Sequence, residues 1–203
     1  MVYLSSLRND FVGYDDNTYV VDNPHIRSFD LSFLKWAFFD FYAANWHPFT
    51  WISHALDYTV WGLNPLGHHL TNNILHAVNT FLVVLLVARL LEVGHDSRPS
   101  GKSGTLPKGS RKRPDFPSDD SPFTFHVSRF TLITAAVTGL LFGLHPIHVE
   151  SVAWVAERKD LLCALFYLLS VMSYIKYAKA VHDSRFTIHD PFSLHFSSSS
   201  SPF

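Results

Sequence analysis

Only one cysteine, Cys163, occurs in 203 residues, so neither a disulfide framework nor a cysteine-based zinc centre can be built. Charge is scarce as well: Asp, Glu, Lys and Arg make up 16% of the chain, against about 25% in ordinary soluble domains. The 16 basic residues are matched by 17 acidic ones, which leaves no basic excess and excludes nucleic acid as the main partner. Aromatic residues are abundant instead. Eighteen Phe, eight Tyr and five Trp make 15% of the chain, and 47% of all residues are hydrophobic. A disordered chain does not carry that aromatic content, and a soluble domain of this size cannot hide it from water. The surplus apolar surface points to a bilayer.

Three uncharged runs are long enough to matter. Leu70 to Ala88, LTNNILHAVNTFLVVLLVA, has 19 residues without a formal charge, close to the length that crosses about 30 Å of hydrocarbon. Phe130 to Val149 has 20. There Pro146 is expected to end the helix near residue 146, and Ala135, Ala136, Gly139 and Gly143 suit close helix packing. Leu161 to Ile175 has 15, with Asp160 before it and Lys176 and Lys179 after it positioned to snorkel. The expectation is an all-α integral membrane protein with three transmembrane helices, over 70–92, 129–146 and 161–178.

The intervening segments differ in charge. Residues 93–128 carry Arg98, Lys102, Lys108, Arg111, Lys112 and Arg113 among Pro, Ser and Gly, the composition of a disordered basic loop on the cytoplasmic side. Residues 1–69 carry only Arg8, Arg27 and Lys35 as bases and hold seven aspartates. This segment is expected outside, together with a short loop or helix over 147–160. The tail 179–203 is expected to be cytoplasmic and disordered. Met1 to Leu7 lacks the features of a signal peptide, so a preceding span is expected, and with it a fragment of a longer protein.

The 1–69 segment reads as two interfacial helices. Phe29, Phe33, Trp36 and Phe39 share one helical stripe, and Trp51, Ala55 and Tyr58 another. Within Phe11 to Tyr19, Asp15 and Asp16 are adjacent and so point apart; one can act chemically while the other caps, or the run Asp-Asp-Asn is a plain turn. The densest titratable cluster is His145 to Asp160. A continuous helix from Ile147 would put Glu150, Trp154, Glu157 and Arg158 on one arc of about 100°, with Arg158 suited to a phosphate. His145, His148 and Glu150 lack the i, i+4 pairing of a zincin, so no metal is expected.

The stretches FVGYDDNTYVVDNPHI, NWHPFTWISHALDYTVWGLNPLGHHLTNNILHAVNTFL and GLLFGLHPIHVESVAWVAERKDLLCALFYLLS resemble the membrane region of the transmembrane and tetratricopeptide-repeat-containing proteins. Those are similar to the GT-C class of membrane glycosyltransferases, which includes protein O-mannosyltransferases. The resemblance implies transfer of a hexose, mannose in the animal members, from a polyprenyl-phosphate donor to a protein Ser or Thr hydroxyl with inversion. It places Asp15 and Asp16 at the acidic pair, one of them the base, and puts His148, Glu150 and Arg158 at matching motif positions. Arg158 or Lys159 would stabilise the departing phosphate. The implied partners are membrane lipid, the lipid-linked donor and a protein acceptor, with no tightly bound cofactor. A bacterial source would mean the inner membrane, and a eukaryotic one the endoplasmic reticulum.

The chain departs from the resemblance in lacking the first and the later spans, all 34-residue repeats and a short connection in place of 93–128. This chain is expected to be inactive alone. The rival expectation is a non-catalytic membrane anchor or assembly factor whose aromatic face binds a partner.

Overall fold

The computed structural model describes residues 2–96 and 128–188, and among them every regular element is helical. The basic loop and the serine-rich tail lie outside the described residues, apart from their flanking ends. Six α-helices follow in chain order: α1 (Leu31–Phe39), α2 (Pro48–Trp61), α3 (Pro65–Asp96), α4 (Arg129–Leu144), α5 (Val149–Ala153) and α6 (Arg158–Ile188). Short 3-10 turns cover Val2–Arg8, His25–Arg27, Pro146–His148 and Val155–Glu157, and a single π-type turn covers Asn17–Val21.

The ends of these helices follow from local chemistry. Asp30 caps α1 by accepting from the backbone N–H of Phe33 at 2.7 Å, and Ser128 caps α4 through Phe130. Pro48 occupies the first turn of α2, where its missing N–H costs nothing. Gly62 ends α2 at φ +59°, a backbone that favours glycine. α4 stops at Leu144 because Pro146 follows: its ring biases His145 to an extended backbone, observed at ψ 128°.

Among the described residues, two helices are long and apolar enough to cross a membrane, over Pro65–Glu92 and Val155–His182. α4, at 16 residues, qualifies only together with the Pro146–Ala153 segment, bent from it by 46°. The described residues therefore form an all-α membrane protein with two candidate spans, or three where the bent pair is counted as one. α4 runs antiparallel to α3. A Cβ built on Gly139 would run into Val84 Cγ2, and one on Gly143 would stand 3.0 Å from Thr80 Cγ2. With Ala135, buried one turn earlier, these form a small-residue seam at i, i+4, i+8 that lets the backbones approach.

The aromatic half forms a separate core beside the spans. Trp51 of α2 is fully buried, ringed by Tyr19 at 4.8 Å, Tyr42 at 5.6 Å and Trp36 at 5.7 Å. Val20, Ile26, Phe33, Ala37, Ala55, Val155 and Ala156 complete it. Of the expected α1 stripe, Phe33 is buried and Trp36 half-buried, whereas Phe29 and Phe39 are exposed.

Gly139→Leu is expected to destabilise the full-length polypeptide by roughly 1–3 kcal/mol, the usual cost of overpacking a close seam. Thermal unfolding in detergent micelles checks this; an unchanged midpoint would mean that α3 and α4 do not meet at Gly139.

Candidate active site at the loop junction

The decisive local feature is a break where the sequence has neither Pro nor Gly. HVESVAWVAERKD has the composition of one helix, yet the chain leaves α5 at Trp154 (φ −99°, ψ 121°) and re-enters helix at Arg158. The continuous helix expected from Ile147 does not form, and Glu150, Trp154, Glu157 and Arg158 do not share an arc. Glu150 is exposed, whereas Arg158 is fully buried.

A break at the end of a membrane span leaves backbone groups that need protein partners. They come from far along the chain. The Asn72 side-chain amide donates to the carbonyls of Val152 (3.3 Å) and Trp154 (3.1 Å). The N–H of Ala156 donates to Asp16 Oδ1 at 2.7 Å. Two turns further along α3, Asn79 donates to the Leu161 carbonyl at 2.9 Å. At the other break, His76 Nε2 lies 3.2 Å from the Gly143 carbonyl, and the Tyr3 hydroxyl donates to the carbonyl of His145 at 2.9 Å.

Asp16 thus joins the first acidic loop to the second. Its other oxygen accepts from the Val12 N–H at 2.8 Å, and its side chain makes no cap bond to the Asn17–Val21 turn. Desolvation raises its carboxyl above the ordinary aspartate value, against the lowering effect of the two N–H donors and of His69. Asp15 is half-buried, and its charge acts on both Asp16 and Tyr19. Lys159 Nζ lies 5.9 Å from the centre of the Tyr19 ring and pairs with Glu157 at 2.8 Å. Asp15, Asp16, Tyr19, Glu157 and Lys159 therefore gather at one junction.

Arg158 is held beneath it. Nε donates to Asn72 Oδ1 at 2.8 Å, Nη2 to the His68 carbonyl at 2.8 Å, and Nη1 to Ser53 Oγ at 3.2 Å. Nη1 also pairs with Asp57 Oδ2 at 2.5 Å, and Asp57 Oδ1 accepts from Thr71 at 2.7 Å. The guanidinium that sequence reasoning offered to a phosphate is enclosed, with all three nitrogens engaged inside the protein. The physical reason is the break at Trp154, which rotates Arg158 inward and leaves the next residue, Lys159, at the junction.

His148 and Glu150 lie apart from this group. His148 is half-buried against Phe142 (4.6 Å) and His76 (5.5 Å), and His145 stands 6.3 Å away. Among the described residues, no group of three His, Cys, Asp or Glu side chains is placed to hold a metal ion.

Sequence reading missed Asp57, His54, His68, Asn72 and Asn79. The signal was present: Asn72, His76 and Asn79 recur at four and three residues inside an otherwise oily run, the spacing of one buried helix face. His54 and Asp57 likewise share the face of α2 that buries Trp51.

A helical membrane protein with a buried ionic knot beneath an acidic loop junction is the class that fold and site define. The chain is 30% identical over 188 residues to "Protein O-mannosyl-transferase Tmtc2" of Drosophila melanogaster, covering 88% of this chain and 16% of that protein. It is 35% identical over 130 residues to Tmtc1 of the same species, and 29% identical over 184 residues to human TMTC4. Those alignments cover 64% and 86% of this chain, and 11% and 21% of the relatives. No protein-family profile matches the chain, and no solved structure does. The chain is TMTC-like, a homologue of these protein O-mannosyl-transferases that spans about a fifth of their length or less.

The buried histidine of α2 gives a prediction. Burial, then the Arg158 charge, pushes the His54 imidazole well below its ordinary value, so it is neutral in the fold. An unfolded histidine protonates near pH ~6.5, so the folded state loses stability as the pH drops below that value. Asp16 has the opposite sign, because a raised carboxyl favours the folded state as the pH falls through the folded value toward ~3.9. Comparison with His54→Phe isolates the first effect: unfolding midpoints between about pH 8 and pH 5 should fall less steeply in the variant. Parallel curves would mean that His54 does not stay neutral.

Proposed function

We propose that this region forms part of a membrane glycosyltransferase that moves a hexose, mannose-like, from a polyprenyl-phosphate donor to a protein Ser or Thr hydroxyl. The observation that carries the reading is the junction itself: an acidic turn tied through Asp16 and Ala156 to the segment that presents Lys159. Sequence similarity to proteins named protein O-mannosyl-transferase supports the reaction class.

The two aspartates take different parts in this reading. Both oxygens of Asp16 accept backbone N–H donors and the residue is fully buried, which suits a group that holds the loop. Asp15, half-buried on the same turn, is the better candidate base. The acceptor oxygen would attack the anomeric carbon as Asp15 takes its proton. The bond from that carbon to the phosphate oxygen would break, with the electron pair leaving on the phosphate and the configuration inverted. Lys159 is the cation placed to meet that developing charge. Exposed Glu150 and half-buried His148 remain candidates for contact with donor or acceptor, and Arg158 acts from beneath rather than by contact. The loop junction faces the outer or luminal side, in the bacterial inner membrane or the endoplasmic reticulum.

In the full-length polypeptide, Asp15→Asn is expected to lower hexose transfer to a Ser/Thr peptide by about 10²–10⁴-fold while leaving membrane insertion intact. Lys159→Gln should reduce transfer less severely. Transfer by Asp15→Asn at the unaltered rate would remove the base assignment, and recovery of a stable protein partner without bound lipid-linked sugar would favour an assembly role.

A further inference from the structure

We infer that Arg158 and Asp57 are positioning residues: their buried pair is a latch that sets where the Asp15–Asp16 turn docks. The inference deepens the proposed function and rests on it for its catalytic meaning, but the latch itself is a statement about loop position.

The Arg158 guanidinium reaches across to two other helices. It binds α2 through Ser53 and Asp57, and α3 through Asn72 and the His68 carbonyl, while belonging to α6. One side chain therefore fixes the first residue of α6 against two other helices. Ala156, two residues earlier, lies in the Val155–Glu157 turn, which leaves little slack between its N–H and Arg158. That N–H meets Asp16 Oδ1 at 2.7 Å. Asn72 serves both halves of the arrangement, accepting from Arg158 while donating to the carbonyls of Val152 and Trp154 at the break. The position of the acidic turn is thus transmitted along Asp57, Arg158, Ala156 and Asp16.

The same burial places Lys159. Successive residues entering a helix point about 100° apart, so turning Arg158 inward directs Lys159 toward Glu157 and the Tyr19 ring. One ionic contact therefore sets both the carboxylate and the ammonium at the junction.

Hydrogen exchange on the full-length polypeptide in detergent tests the latch. Single removal of a buried partner endangers folding, so the central variant is the double Asp57→Leu/Arg158→Met, which replaces the ion pair with apolar groups of similar size. Exchange in peptides covering residues 9–22 should rise by about tenfold or more, a factor equivalent to about 1.4 kcal/mol of docking. Asp16→Asn should reproduce that rise, and Arg158→Lys should give a smaller one. Peptides from α3 and α4 should be unchanged. Hexose transfer by the double variant should lose kcat with little change in KM for the acceptor. Unchanged exchange over 9–22 in the double variant overturns the inference, as does a rise spread equally over α3 and α4, which would indicate only loosened structure. If the unaltered polypeptide transfers no hexose, the functional reading fails while the exchange result still decides the latch.

Discussion

A guanidinium removed from water at the end of a membrane span is tolerable only when its charge is paired and each of its nitrogens is engaged, because an unmatched buried cation costs several kcal/mol. Arg158 meets that condition through Asp57, Ser53, Asn72 and the His68 carbonyl, contributed by two other helices. The relative placement of α2, α3 and α6 is therefore constrained by polar geometry as well as by shape. Apolar packing alone would be permissive here, since lipid tails compete with side chains for the same surfaces. Directional hydrogen bonds lack that permissiveness, and they select one arrangement of the helices.

The interruptions of α4 and α6 follow from the same rule applied to the backbone. Every turn that departs from helix at membrane depth must find partners inside the protein. α3 supplies most of them along one face, from the amide of Asn72 through the imidazole of His76 to the amide of Asn79. A helix that reads as an oily span is in fact two-faced. Its exposed side carries Ile74, Val78 and Phe81, and its protein side is a ladder of polar groups. The ladder's cost in apolar burial is offset by the carbonyls that it satisfies.

This division explains what could be read in advance. The helical class and the apolar runs were legible because length and lack of charge are properties of contiguous residues. So was the end of α4, since Pro146 acts on its immediate neighbours. The break at Trp154 was not legible. Nothing in VESVAWVAERK disfavours a helix locally, and the groups that stabilise the break, Asn72 and Asp16, lie 82 and 140 residues away from the atoms that they bind. Arg158 was misplaced for the same reason, because a helical wheel assumes the continuity that the break removes. The pairing of Asp57 with Arg158 is long-range as well, although its spacing with His54 on the Trp51 face was available as a sign of buried polarity.

Long-range construction also separates the adjacent aspartates. In a peptide Asp15 and Asp16 would differ little, since both are carboxylates on one exposed turn. Folding makes them unlike by enclosing Asp16 between two N–H donors and leaving its neighbour half open. A fully buried carboxylate tied by two backbone N–H donors is closed to a substrate hydroxyl, and is a good anchor. Its neighbour inherits a fixed position without surrendering its lone pairs. Anchoring one acid so that the next can be free and yet stationary is how a loop, otherwise the most mobile part of a fold, can hold a reactive group within the few tenths of an ångström that transfer chemistry demands.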